Sequence, residues 1–145
     1  MISNEMLLKY LDQKLILLTR ISDITKQIEV QSRQDDIQLG DLPDQRQVYI
    51  DRLKKCEQII NESLMPLNGE EKERRKKILA GNFPKDECSE EEAKLLDYAV
   101  QCQNVLHRTL AMDIEARRLL QKECDRLQNL LHTARKTKRI YPSKS

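Results

Sequence analysis

Residues 89–139 read SEEEAKLLDYAVQCQNVLHRTLAMDIEARRLLQKECDRLQNLLHTARKTKR, and this stretch decides the fold. It holds no Pro and no Gly, and apolar residues recur along it at helical spacing. As one helix of about fifty residues it spans ~75 Å. A compact chain of 145 residues has a radius of gyration of only ~15 Å. The helix therefore overhangs any body this chain builds, and an overhanging apolar seam calls for a partner. The seam is read as Leu96, Ala99, Gln103, Leu106, Leu110, Asp113, Arg117, Leu120, Cys124, Leu127, Leu131 and Ala134. Asp113 and Arg117, four residues apart, interrupt it and are placed to pair with each other. Ser89 with Glu92 three residues on forms a capping box at its start.

Upstream, two further helices are predicted. The first spans 4–33, with Ser3 or Asn4 as N-cap and a seam at Leu7, Leu11, Leu15, Leu18, Ile21, Thr25 and Ile28. The second spans 42–64, opened by Pro43 in its first turn and ended by Pro66, Asn68 and Gly69. Its seam is Leu42, Arg46, Tyr49, Leu53, Cys56 and Ile60. Residues 35–41 form the turn between the two, with Ile37 and Leu39 available to dock it. Residues 65–89 read as a mobile, charged connector containing a short helix near Glu70–Ala80. Residues 140–145 are expected to fray.

The predicted fold is all-α and one domain over 1–145. It is an elongated antiparallel helical hairpin, or three-helix bundle, with a long C-terminal helix and coiled-coil-like packing. Composition agrees: charged residues are 34%, aromatics 3%, hydrophobics 39%, with three Gly and four Pro. That mix favours long helices over sheets.

Arg46 stands out because a guanidinium at a seam position must snorkel or meet a carboxylate. Asp113 is the candidate partner. A net charge of +2 is too small to imply a nucleic-acid partner. The cluster Arg135, Lys136, Lys138 and Arg139 reads first as a helix C-terminus complemented by positive charge, with contact to an acidic partner or nucleic acid as the alternative. The four cysteines include no C-x-x-C pair, and reduced thiols with no metal site are expected. There is no Gly-rich phosphate loop, no H-E-x-x-H and no G-x-S-x-G. His107 and His132 stand alone, so no catalytic residue and no cofactor are assigned. The N-terminus has no secretory pattern, and no apolar run is long enough to span a bilayer. A soluble, cytoplasmic protein without membrane insertion is expected.

Asp36, Leu39, Leu42, Arg46, Gln47, Ile50 and Asp51 follow the pattern D-x-x-L-x-x-L-x-x-x-R-Q-x-x-I-D. With Ile24 to Gln27 before it, and Asp113, a Leu-rich helix, Arg135, Lys138 and Tyr141 after it, the chain resembles the FlgN/FliT-type flagellar export chaperones. The resemblance implies a non-catalytic cytoplasmic chaperone. Its client would be the C-terminal helical segment of a flagellar type III export substrate, a hook-associated or filament-cap protein. The chaperone keeps the client from assembling early and delivers it to the export apparatus. The resemblance also implies that the client lies on the C-terminal amphipathic helix, here at Leu120, Leu127, Leu131, Ala134 and Tyr141. Two other readings stay open: a homodimeric coiled-coil scaffold using the same seam, and a small helical regulator of a transcription factor or nucleic acid.

Overall fold

The computed structural model describes residues 2–140, with side chains through Lys136. Four α-helices follow one another: α1 Asn4–Ser32, α2 Leu42–Glu62, α3 Gly69–Leu79 and α4 Glu90–Ile140, with a single 3-10 turn at Lys85–Glu87 before α4. There is no strand among the described residues. The fold is an all-α bundle in which α1 packs against both α2 and α4.

Local chemistry sets the helix starts. The Ser3 hydroxyl accepts from the Met6 N–H at 3.2 Å and caps α1. At α4, the Glu92 N–H donates to the Ser89 Oγ at 3.2 Å. The Ser89 N–H returns a bond to Glu92 Oε1 at 3.0 Å, which completes the capping box. α2 stops at Glu62, two residues short of the sequence expectation. Residues 63–66 turn instead, so that Leu64 and Leu67 are buried.

Long-range contacts give the directions. Asn4 Nδ2 donates to Glu91 Oε2 at 2.7 Å. Cys102 Sγ lies 3.8 Å from the Leu11 carbonyl, and Arg33 reaches Glu115 at 3.7 Å. α1 and α4 therefore run parallel. Arg46 meets Thr25 at 3.4 Å and Cys56 meets the Tyr10 carbonyl at 3.2 Å, so α2 runs antiparallel to both. α1 is the central helix, while α2 and α4 flank it and meet little.

The core lies along α1. Its deepest part gathers Leu7, Leu11, Leu17, Cys56, Ile60, Ile78, Leu95 and Leu96. A second cluster holds Leu18, Cys102 and Val105. The third joins Ile24, Ile28 and Ala116, covered by Leu39, Leu42 and Tyr49. On α4 the buried residues that meet α1 are mostly small, Cys102, Thr109 and Ala116 with Val105, and Leu18, Ile24 and Ile28 of α1 pack on them. The buried hydroxyls of Thr25, Ser32 and Thr109 each donate to the carbonyl four residues back, at 2.7 Å. Those bonds satisfy the polar atoms within their own helix and let the two backbones approach.

Two sequence expectations change. Gln103, Leu106, Leu110, Arg117 and Cys124 are exposed rather than internal. The face of α4 that meets α1 is the neighbouring one, through Cys102, Val105, Thr109 and Ala116. The connector is also not loose. Ile78 is fully buried, and Arg74 binds Glu92 through two bonds of 3.0 and 2.9 Å. The Arg74 guanidinium also sits 4.7 Å from the Phe83 ring centre. Gly81 packs onto the α4 backbone at Ala99 with φ of +73°, where any side chain would meet the Ala99 carbonyl oxygen at 3.1 Å.

Candidate partner-binding surface

α4 has 51 residues against 29 for α1, or ~77 Å against ~44 Å of helix. Because the two start level and run parallel, the last twenty or so residues of α4 project beyond the body. Exposure follows this geometry. Leu119, Leu120 and Glu123 are half-buried, and every described side chain from Cys124 to Lys136 is exposed. Leu127, Leu130 and Leu131 are 48%, 54% and 57% exposed.

Of the residues assigned from the sequence, Leu127, Leu131 and Ala134 stand on this overhang, with Leu120 at its root. Tyr141 lies outside the described residues. Sequence reasoning missed Leu130, which stands off the heptad line but adds apolar surface to the same segment. It also missed Ile114, which is 68% exposed. A run of paired leucines, Leu119–Leu120 and Leu130–Leu131, is the signal that the apolar surface is wider than one seam.

The structure brings Arg46 and Asp113 together, but in the body rather than on the overhang. Arg46 Nη1 donates to Asp113 Oδ1 at 2.9 Å, and Arg117 Nε donates to Asp113 Oδ2 at 2.9 Å. This bridge crosses a shallow cleft of about 210 Å³ between α2 and α4. Leu18, Ile21 and Thr25 of α1 form its floor. Ile50 and Leu53 wall it on α2, and Leu106, Thr109 and Leu110 wall it on α4. The cleft exists because α2 and α4 both lean on α1 and leave the position of a fourth helix open.

The body groove and the overhang are one surface. Leu106, Leu110, Asp113, Arg117, Leu120, Cys124, Leu127 and Leu131 step alternately by four and three, which keeps them on one helix face. The surface presents an apolar ridge with a polar break at Asp113 and Arg117. That suits the stripe of an amphipathic helix.

Titratable groups here serve structure. Burial raises the Cys102 thiol to about 11 and also raises Cys56, so neither forms a thiolate at neutral pH. The Arg74 hydrogen bond, aided by the Ser89 backbone N–H, lowers Glu92 to about 2. His107 and His132 are exposed and far apart along α4. Among the described residues no group of His, Cys, Asp and Glu is placed to hold a metal ion. None of their helices is long and apolar enough to cross a membrane. No family model, no curated protein and no solved structure matches the chain.

Proposed function

We propose that this protein is a non-catalytic holder of an amphipathic helical segment. In full, it is a cytoplasmic chaperone that binds the C-terminal helix of a flagellar type III export substrate and prevents its premature assembly. The observation that carries the reading is the overhang of α4, whose leucines no part of the body covers. The flagellar client rests on the resemblance of residues 36–51 and of the C-terminal third to the FlgN/FliT-type chaperones.

The physical logic is simple. A client segment that polymerises through an apolar helical stripe must have that stripe covered before export. A preformed helix bearing its own stripe covers it at little ordering cost, since only the client has to fold on binding. Each leucine buried in such a contact contributes roughly 1.5–3 kcal/mol before those costs.

The test is titration calorimetry of the full chain with C-terminal segments of the hook-associated and filament-cap proteins of the same organism. Saturable binding to one of them, lost in Leu127→Asp/Leu131→Asp, supports the reading. No binding to any of them removes the flagellar assignment.

A further inference from the structure

We propose that the α4 stripe also recognises itself. Two copies of this chain pair antiparallel, each overhang lying in the α2–α4 groove of its partner.

The stripe is self-complementary. A half-turn about a point between Arg118 and Leu119 maps it onto itself. Leu106 then faces Leu131 of the other copy, and Leu110 faces Leu127. Gln103 faces Ala134 at the ends. The four leucines are exposed in the single chain, at 37%, 57%, 49% and 48% in that order, so the pairing covers exposed apolar surface on both sides. Such a contact is isologous, with one surface serving both partners.

Charge fixes the direction. A parallel pairing in register stacks Asp113 on Asp113 and Arg117 on Arg117 inside the seam. Like charges set against each other suppress that arrangement. The antiparallel register sets Asp113 opposite Cys124 and Arg117 opposite Leu120, while Arg46 keeps its 2.9 Å bond to Asp113.

The lengths match as well. From Gln103 to Arg118 the groove-facing part of α4 runs ~24 Å, and from Leu119 to Ala134 the overhang runs the same ~24 Å. Each overhang supplies the fourth helix that the other body lacks, and Ile50 and Leu53 of α2 form its second wall. The seam is ~46 Å long and ~10 Å wide, on the order of 500 Å² per copy before those walls are added. A standard interface buries ~800 Å² per partner. The dimer is thus small and reversible, and a client that needs the same leucines excludes it. The self-pairing stands whether or not the client is flagellar.

Disulfide trapping in the full chain reads the register. Cys88→Ser and Cys124→Ser remove the two accessible thiols, since Cys56 and Cys102 are buried. Gln103→Cys and Ala134→Cys are then added singly and together, and each protein is oxidised with diamide. Within one chain the two positions are ~46 Å apart along α4 and do not meet. The expected result is a covalent dimer from the double variant, formed roughly tenfold or more faster than from either single variant, because pairing raises the effective thiol concentration. Equal trapping of the single variants through their own residue overturns the antiparallel register. Sedimentation equilibrium of the unsubstituted chain is the independent measurement. A concentration-dependent shift from monomer to dimer is expected, and a monomer throughout overturns the proposal while leaving client binding intact.

Discussion

Arg46 Nη1 stands 2.9 Å from Asp113 Oδ1, and through that bond α2 is tied to α4 across a groove that neither helix closes. The same carboxylate takes Arg117 on its other oxygen. One half-buried Asp therefore holds two arginines, one from the facing helix and one from its own. The polar break in the apolar stripe is also the clasp of the bundle.

A double-mutant cycle measures the clasp. Arg46→Leu alone leaves Asp113 half-buried with only Arg117, and should cost about 1–2 kcal/mol, between the values for exposed and buried pairs. Arg46→Leu with Asp113→Leu should be close to neutral, because two apolar side chains fit the groove. Urea denaturation of the four proteins gives the coupling energy. Purely additive effects would show that the bond carries no stability.

At concentrations too low for self-pairing, Leu127→Asp with Leu131→Asp should leave the melting temperature nearly unchanged, since both side chains are exposed on the overhang of the single chain. Ending the chain after Lys122 should do the same. Surface changes of this kind usually lie within ~0.5 kcal/mol. Thermal melts followed by circular dichroism check this. A large loss of stability would place the stripe in an internal core.

Glu92 gives the base of the bundle an acid limit. Its carboxyl is lowered from 4.5 to about 2, first by the Arg74 hydrogen bond and then by the Ser89 N–H. A lowered folded-state value means that the stabilisation is present above pH 4.5 and is lost as the pH falls towards 2. Glu92→Gln should therefore flatten the stability profile between those values and lower stability at neutral pH. Urea midpoints measured across that range test it. An unchanged acid slope would separate Glu92 from the effect.

The connector is predicted to be part of the folded unit. Ile78→Ala removes a fully buried side chain and should cost about 2–5 kcal/mol. Gly81→Ala adds a Cβ where φ is +73° and the Ala99 carbonyl oxygen is 3.1 Å away, so a loss above ~1 kcal/mol is expected. Denaturant midpoints measure both. Neutral outcomes would return the connector to a loose tether.

The sequence made the helices legible because their signals are local. Ser3, Pro43 and the Ser89–Glu92 box act within one turn of the residues that they start. The long α4 followed from the absence of Pro and Gly between Ser89 and Arg139. The face of α4 turned to α1 was not legible. Leucine draws the eye to Leu106 and Leu110, but close packing of parallel helices here uses Cys102, Thr109 and Ala116, whose apolar weight is small. The docking of residues 65–89 was hidden for a similar reason. One isoleucine, Ile78, among lysines, arginines and glutamates makes almost no periodic signal, yet Arg74 folds onto Phe83 and Glu92 to hold the segment in place. For the candidate surface, the length of α4 revealed the overhang. The groove depended on how α2 and α4 lean on α1, which no local pattern encodes.

The parallel run of α1 and α4 governs how the chain acquires its structure. α1 meets α2 across a link of nine residues, 33–41, but Asn4 waits for Glu91, 87 positions later. The α1–α2 hairpin therefore closes early during synthesis, as local contacts form before distant ones. Until α4 has been made as far as Ala116, one side of α1, with Leu18, Ile24 and Ile28, stays bare on the nascent chain. The bundle is sealed only once Ala116 has been made, and the overhang follows the segment that completes the core.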